Sequence, residues 1–171
     1  KYEVLETEDY TKYLGRRISY NDPHETEFDN RVAKAWAAFS KYKGELTDRR
    51  YRKQSRLRCL EAVVTSTLLD GCESWTLRVD QKKRLGVLQR KMLRRVLNAK
   101  RRSVHTSRSS SDASDDTTSE APTLEPLVDF LRRTARLTEA QFEKAGIFEW
   151  SVQWRARKCT WAAKLMADGL D

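Results

Sequence analysis

Residues 57–75, LRCLEAVVTSTLLDGCESW, decide how this chain folds. Leu57, Leu60, Val64 and Leu68 recur at spacings of three and four, one stripe of a 3.6-residue helix. Val63 and Leu69 widen that stripe, so the helix is expected to be buried on more than one side. Gly71 stands where a glycine closes a helix in the left-handed conformation. Trp75 follows closely enough for its ring to fold back over the last turn. The stretch reads as a core helix with a capped end, and its neighbours are read as what packs around it.

On the N-terminal side, Asp48 is placed to cap this helix. The first turns carry Arg49, Arg50, Arg52, Lys53, Arg56 and Arg58, a basic collar at the end where a helix dipole favours acids. Such a collar is either a solvated face or one that meets an anion. Further upstream, Asn21-Asp22-Pro23 predicts a helix start, with Glu25 and Glu27 in the first turn. Phe28, Val32, Trp36 and Phe39 mark its apolar face, and the pattern runs to about Gly44. Residues 2–20 hold the convincing β material. Tyr2, Val4 and Leu5, then Tyr13, Leu14, Ile18 and Tyr20, flank a polar segment from Glu6 to Thr11. Gly15 interrupts the second run, as at a bulge or a close backbone approach. Two strands alone are marginal in water, so the hairpin needs a helix, or a sheet continuing outside this stretch. An opening at Lys1, without Met and inside a strand-like run, is expected of an excerpt from a longer chain.

On the C-terminal side, Asp80 opens a third helix with the stripe Leu85, Leu88, Met92 and Val96, flanked by Leu93 and Leu97. Its other face carries Lys82, Lys83, Arg84, Arg90, Lys91, Arg94 and Arg95, followed by Lys100, Arg101 and Arg102. No acid occurs between Gln81 and Ser111. Solvated helices mix signs to gain i,i+4 pairs, so a one-sign helix points to a polyanionic partner. Residues 103–126 turn to Ser, Thr and Asp and read as a flexible linker whose acids, 112–120, lie within reach of the basic helix. Leu127 to Ala145 is helical, with Leu127, Leu131 and Ala135 in register and Gly146 as its stop. The last element aligns Trp150, Trp154, Trp161 and Leu165, with Arg155, Arg157 and Lys158 beside them. That stripe reads as core or as a platform for stacking bases.

The resulting fold class is mainly α with a small N-terminal β-hairpin (α+β): antiparallel helices, a flexible linker and a C-terminal helical pair. The expected segments are 1–21, 22–102, 103–126 and 127–171. The chain has 171 residues and a formal charge of +9, from 34 Lys and Arg against 25 acids. No apolar run reaches bilayer length, so no membrane partner is expected, and no apolar leader follows Lys1. Cys59, Cys72 and Cys159 have no metal-ligand spacing and read as buried free thiols of an intracellular protein, nuclear or cytoplasmic. His24 and His105 stand alone, so no metal site is assigned. No paired carboxylates, phosphate loop, nucleophile–base set or HExxH occurs, so no catalytic residue is assigned.

Several motifs occur in a fixed order. They are Tyr13-Leu14-Gly15, a helix with Arg31-Val32-Ala33-Lys34-Ala35-Trp36, the helix Leu57 to Leu69, Gly71-Cys72-Glu73-Ser74-Trp75, and then Leu85, Gln89, Leu93, Arg94 and Arg95. This order resembles the region C-terminal to the catalytic palm in reverse transcriptases of non-LTR (LINE-type) retrotransposons. The tail is similar, more loosely, to that family's Trp/Arg/Lys segment through Trp154, Arg155, Arg157, Lys158, Trp161, Ala162 and Ala163. Asp70 stands where the family pattern carries Tyr, and Lys164 where it carries His. The resemblance implies that Tyr13, Leu14 and Gly15 form the palm edge that supports a primer end. It implies that the three helices form a thumb gripping RNA or an RNA–DNA hybrid. The expected phosphate contacts are Arg49, Arg50, Arg52, Lys53, Arg56, Lys82, Lys83, Arg84, Arg90, Lys91, Arg94, Arg95, Arg101 and Arg102. The polymerase aspartates and their divalent metal, magnesium, would belong to the palm and fingers upstream, so this chain would need no cofactor of its own. Two other readings stand beside it: a stand-alone basic helical module that binds nucleic acid, and a helical module that meets an acidic protein.

Overall fold

The computed structural model describes residues 10–13, 15–19, 21–104 and 123–169. The N-terminal strands are β1 (Tyr10–Tyr13) and β2 (Arg16–Ser19), paired antiparallel with Tyr13 opposite Arg16. The hairpin is thus tighter than the sequence pattern suggested. Part of the polar segment is strand, and Gly15, at φ +78°, lies in the connection and not in a bulge. A positive φ there suits the twist of a short hairpin. The close approach is real: the Gly15 carbonyl accepts from Lys34 Nζ at 2.5 Å and Asn30 Nδ2 at 3.4 Å. Strand residues 2–5, Leu14 and Tyr20 lie outside the described residues.

Helix α1 (Pro23–Lys41) starts as expected, with Asp22 accepting from the Glu25 N–H and Pro23 in the first position. It ends before Gly44, and a separate helix α2 (Lys43–Thr47) follows. Phe28, Ala35 and Phe39 are buried, while Val32 and Trp36 are only partly covered. The buried face also carries Glu27, Asn30 and Arg31. Arg31 Nε donates to Glu27 at 2.7 Å and its Nη1 to Asp70 at 3.1 Å, while the Arg17 N–H donates to Glu27 at 2.7 Å. One buried carboxylate therefore satisfies both the helix arginine and the hairpin backbone, which is how the hairpin leans on α1.

The central stretch runs as α3 (Lys53–Leu60), a π-helical segment Glu61–Thr65 and α4 (Ser66–Leu68). Ser66 and Thr67 hydroxyls donate back to the Ala62 and Val63 carbonyls there, and such back-bonding loosens the helical ladder. Leu57, Leu60, Val64, Leu68 and Leu69 are buried, Gly71 sits at φ +60°, and Trp75 is 2 % exposed with its ring 6.4 Å from Trp154. Asp48 does not cap α3. It ends α2 and accepts from the Arg50 backbone and side chain, because a turn at Arg49 and Arg50, closed by the Tyr51 N–H on the Asp48 carbonyl, stands between it and the helix start.

Helix α5 (Val79–Val96) buries Leu85, Leu88, Met92, Leu93 and Val96. Its start is held by Gln81, which accepts from the Arg78 N–H and donates to Glu25. Beyond it, β3 (Ser103–Val104) pairs antiparallel with β4 (Thr123–Leu124), so the two ends of the expected linker are ordered against each other. Residues 105–122, with the acidic run, lie outside the described residues. Helix α6 (Leu127–Ala145) has the expected bounds, and α7 (Trp150–Asp168) follows, with Gly146 at φ +63° between them.

The apolar faces of α6 and α7 differ from expectation. Leu127 and Leu131 are exposed, and Thr134 and Thr138 are the buried residues of α6. Trp150 and Trp154 join the same buried cluster as Leu57 to Leu69, whereas Trp161 and Leu165 are exposed. Cys159 is exposed and Cys59 half-buried, so only Cys72 is a fully buried free thiol. Among the described residues, no helix is long and apolar enough to cross a membrane.

Candidate nucleic-acid interface

Three cations of α5 are aligned by helical spacing. Lys91, Arg94 and Arg95 lie at i, i+3 and i+4, with Asn98 one turn on, beside the Leu85–Met92 stripe. The helix ends in a Schellman arrangement: the Ala99 N–H donates to the Arg94 carbonyl and the Asn98 N–H to that of Arg95. Asn98 takes the left-handed position, φ +52°, and its Nδ2 donates to the Thr47 carbonyl at 2.9 Å. That bond ties the end of α5 to the end of α2, so cations from both elements converge.

The result is a cleft of about 560 Å³ lined by Phe39, Lys43, Thr47, Lys91, Arg94, Arg95, Asn98, Ala99, Lys100 and Phe130. A second cleft, about 420 Å³, is lined by Arg49, Tyr51, Arg52, Lys53, Arg56, Leu97 and again Asn98. The two meet at Asn98. Five cations line the first and four the second, and neither wall contains a carboxylate. Asp48 is engaged by Arg50, and Glu125 by Arg133. Two of the lining cations stand over the Trp36 ring, Arg95 Cζ 4.7 Å and Lys91 Nζ 5.8 Å from its centroid. Burial and the neighbouring Arg90 guanidinium pull the Arg94 pKa below the usual arginine range. Its side chain has no hydrogen-bond or ion-pair partner among the described residues. A helix C-terminus offsets only about half an elementary charge, so the dipole of α5 does not account for nine cations. An anion does.

Of the expected phosphate contacts, the clefts bring together Arg49, Arg52, Lys53, Arg56, Lys91, Arg94 and Arg95. Arg56 is 4 % exposed, and its guanidinium donates to the Val96 carbonyl, so it braces the wall. The others stand elsewhere. Arg50 pairs with Asp48 at 2.8 Å. Arg84 is held by Glu25 and Asp29 of α1, and Arg90 lies 3.9 Å from Glu149. Lys82 sits over the Trp154 ring at 5.5 Å, and Lys83 edges an apolar notch with Phe28 and Val87. Arg101 donates to the Glu125 carbonyl, and the Arg102 N–H to its carboxylate. These residues are not in the cleft because α5 is clad in cations on several faces, and only one face meets α2. Arg157 and Lys158 of α7 are also occupied, donating to the Leu69 and Trp75 carbonyls that end the central stretch. The expected primer-support residues lie on the hairpin, with Tyr13 63 % exposed and Leu14 outside the described residues.

Lys43 escaped the sequence reading, and Lys100 stands in the basic run but not among the expected phosphate contacts. The packing of α2 against the end of α5, marked by the Asn98–Thr47 bond, brings both to the same hollow. Among the described residues, no group of three or more His, Cys, Asp or Glu is placed to hold a metal ion. No protein-family model, characterised protein or solved structure matches this chain.

Proposed function

We propose that this chain binds nucleic acid through its phosphates, along the twin cleft around Asn98, without a catalytic residue of its own. In the fuller form of this reading it is the thumb-like part of a retroelement RNA-directed DNA polymerase, gripping RNA or an RNA–DNA hybrid. The ordered motifs from Tyr13 to Arg95 support that fuller form, and the metal-dependent chemistry would then reside upstream. The observation that carries the binding reading is the pair of joined clefts with nine cations and no carboxylate. Such a surface attracts a phosphate chain by counterion release, which gives affinity without choice of sequence.

Equilibrium binding of a labelled RNA, DNA or hybrid at increasing salt tests this. About six to ten phosphate contacts predict a loss of roughly 10³–10⁵ in affinity between 50 and 200 mM salt. The loss should be the same for unrelated sequences. Salt-insensitive binding, or none, rejects the proposal.

A second reading, a protein-interaction module, is favoured by exposed Leu127, Val128 and Leu131 on α6. It predicts binding that survives high salt.

A further inference from the structure

The same clefts show which form of nucleic acid fits, an inference that rests on the binding reading above. Tyr51 lies in the turn between α2 and α3, among Arg49, Arg52 and Lys53, and its side chain is 54 % exposed. It lines two hollows at once: the basic cleft, and a notch of about 140 Å³ with Glu45, Ser55 and Cys59. Tyr51 therefore borders both hollows and, being exposed, is not part of the core. An aromatic ring in that position is costly to leave in water and has a flat face to offer. In a closed duplex the base faces are covered by their neighbours, so only an unpaired or terminal base can lie on such a ring. The two clefts, about 560 and 420 Å³, are open at the surface and meet at Asn98, so a strand can run from one to the other past Tyr51.

We propose that the twin cleft takes an unpaired stretch of nucleic acid, with phosphates on Arg52, Lys53, Arg94 and Lys100 and one base stacked on Tyr51. The site is then a single-strand holder, beside any duplex that the wider basic surface meets. Stacking contributes about 1–3 kcal/mol per base, which corresponds to roughly 5- to 150-fold in affinity.

The test compares a labelled 12-nucleotide single-stranded RNA with a blunt hybrid of equal length, on the full chain and on Tyr51→Ala, Tyr51→Phe and Arg94→Glu. Tyr51→Ala should weaken single-strand binding by about 5-fold or more and leave hybrid binding unchanged, and Tyr51→Phe should restore it. An RNA carrying abasic positions should bind wild type and Tyr51→Ala alike. Arg94→Glu should weaken both nucleic acids. Because Tyr51 is exposed, unchanged thermal unfolding of Tyr51→Ala is expected and shows that the fold is intact. If Tyr51→Ala binds the single strand as wild type does while Arg94→Glu does not, the stacking inference is overturned and phosphate binding stands. If wild type binds neither nucleic acid in a salt-dependent way, both are overturned.

Discussion

At the scale of single residues, the interior is settled by where indole N–H groups find acceptors. Trp150 Nε1 donates to Thr65 Oγ1 at 2.7 Å, and the Trp150 N–H to Gln89 at 3.0 Å, both buried. The indole nitrogens of Trp75 and Trp154 are buried with no hydrogen-bond partner among the described residues. Thr65→Val keeps the shape of the side chain but strands the Trp150 indole. It should destabilise the protein by about 1–3 kcal/mol in chemical denaturation. Adding Trp150→Phe to it should cost less than the sum of the two single changes, since the stranded group is then gone. The sequence aligned Trp150, Trp154, Trp161 and Leu165 on one face and could not divide them. Periodicity reports which residues share a face, while the length of the neighbouring helices decides how much of that face is covered. Here the cover stops after Trp154.

At the scale of elements, helix ends were the most legible features, because their signals are local. Asp22-Pro23, Gly71 and Gly146 each do what their residue types dictate. Gly146 has open space where a Cβ would stand, so Gly146→Ala isolates the backbone cost of φ +63°. It should lower stability by about 1–2 kcal/mol in a thermal or denaturant titration. The face of α6 was less legible. Thr134 and Thr138 count as polar in any pattern, yet their hydroxyls donate to the Phe130 and Ala135 carbonyls of their own helix, which makes their burial cheap. Asp48 misled for a related reason, since a capping residue type does not say which helix it serves. The strand pair β3–β4 was invisible, being held by long-range bonds. Arg133 pairs with Glu125 at 2.7 Å and, with the Arg102 N–H, holds the Glu125 pKa down to about 2. A carboxylate depressed in the folded state stabilises above its unfolded pKa, and that stabilisation is lost as pH falls toward the folded value. Backbone amide signals of residues 103–104 and 123–125 should therefore show the clamp loosening between about pH 5 and pH 2. In Glu125→Gln the clamp should be loose across that range with no further pH dependence.

At the scale of the whole molecule, charge placement carried most of what the sequence says about function. The acid-free run after Gln81 is what suggests a polyanionic partner, and Lys91, Arg94 and Arg95 of that run line one cleft together. What the run could not show is that three of its cations, Lys82, Arg84 and Arg101, are held by other parts of the chain, on Trp154, on Glu25 and Asp29, and on the Glu125 carbonyl. Nor could it show that Lys43 of α2, Lys100 after α5 and the turn before α3 complete the cleft, since that follows from how the helices pack. The measurement that bears most directly on the central claim is a matched pair of charge reversals. One variant carries Arg94→Glu and Lys100→Glu inside the cleft. The other carries Lys83→Glu and Lys164→Glu, which change net charge equally but line neither cleft. Salt dependence of RNA binding is then compared with wild type. The cleft variant should lose affinity and reduce the salt slope by about 2, while the control stays near wild type. Equal losses in both variants would mean that net charge alone draws the nucleic acid, and the cleft would not be its site.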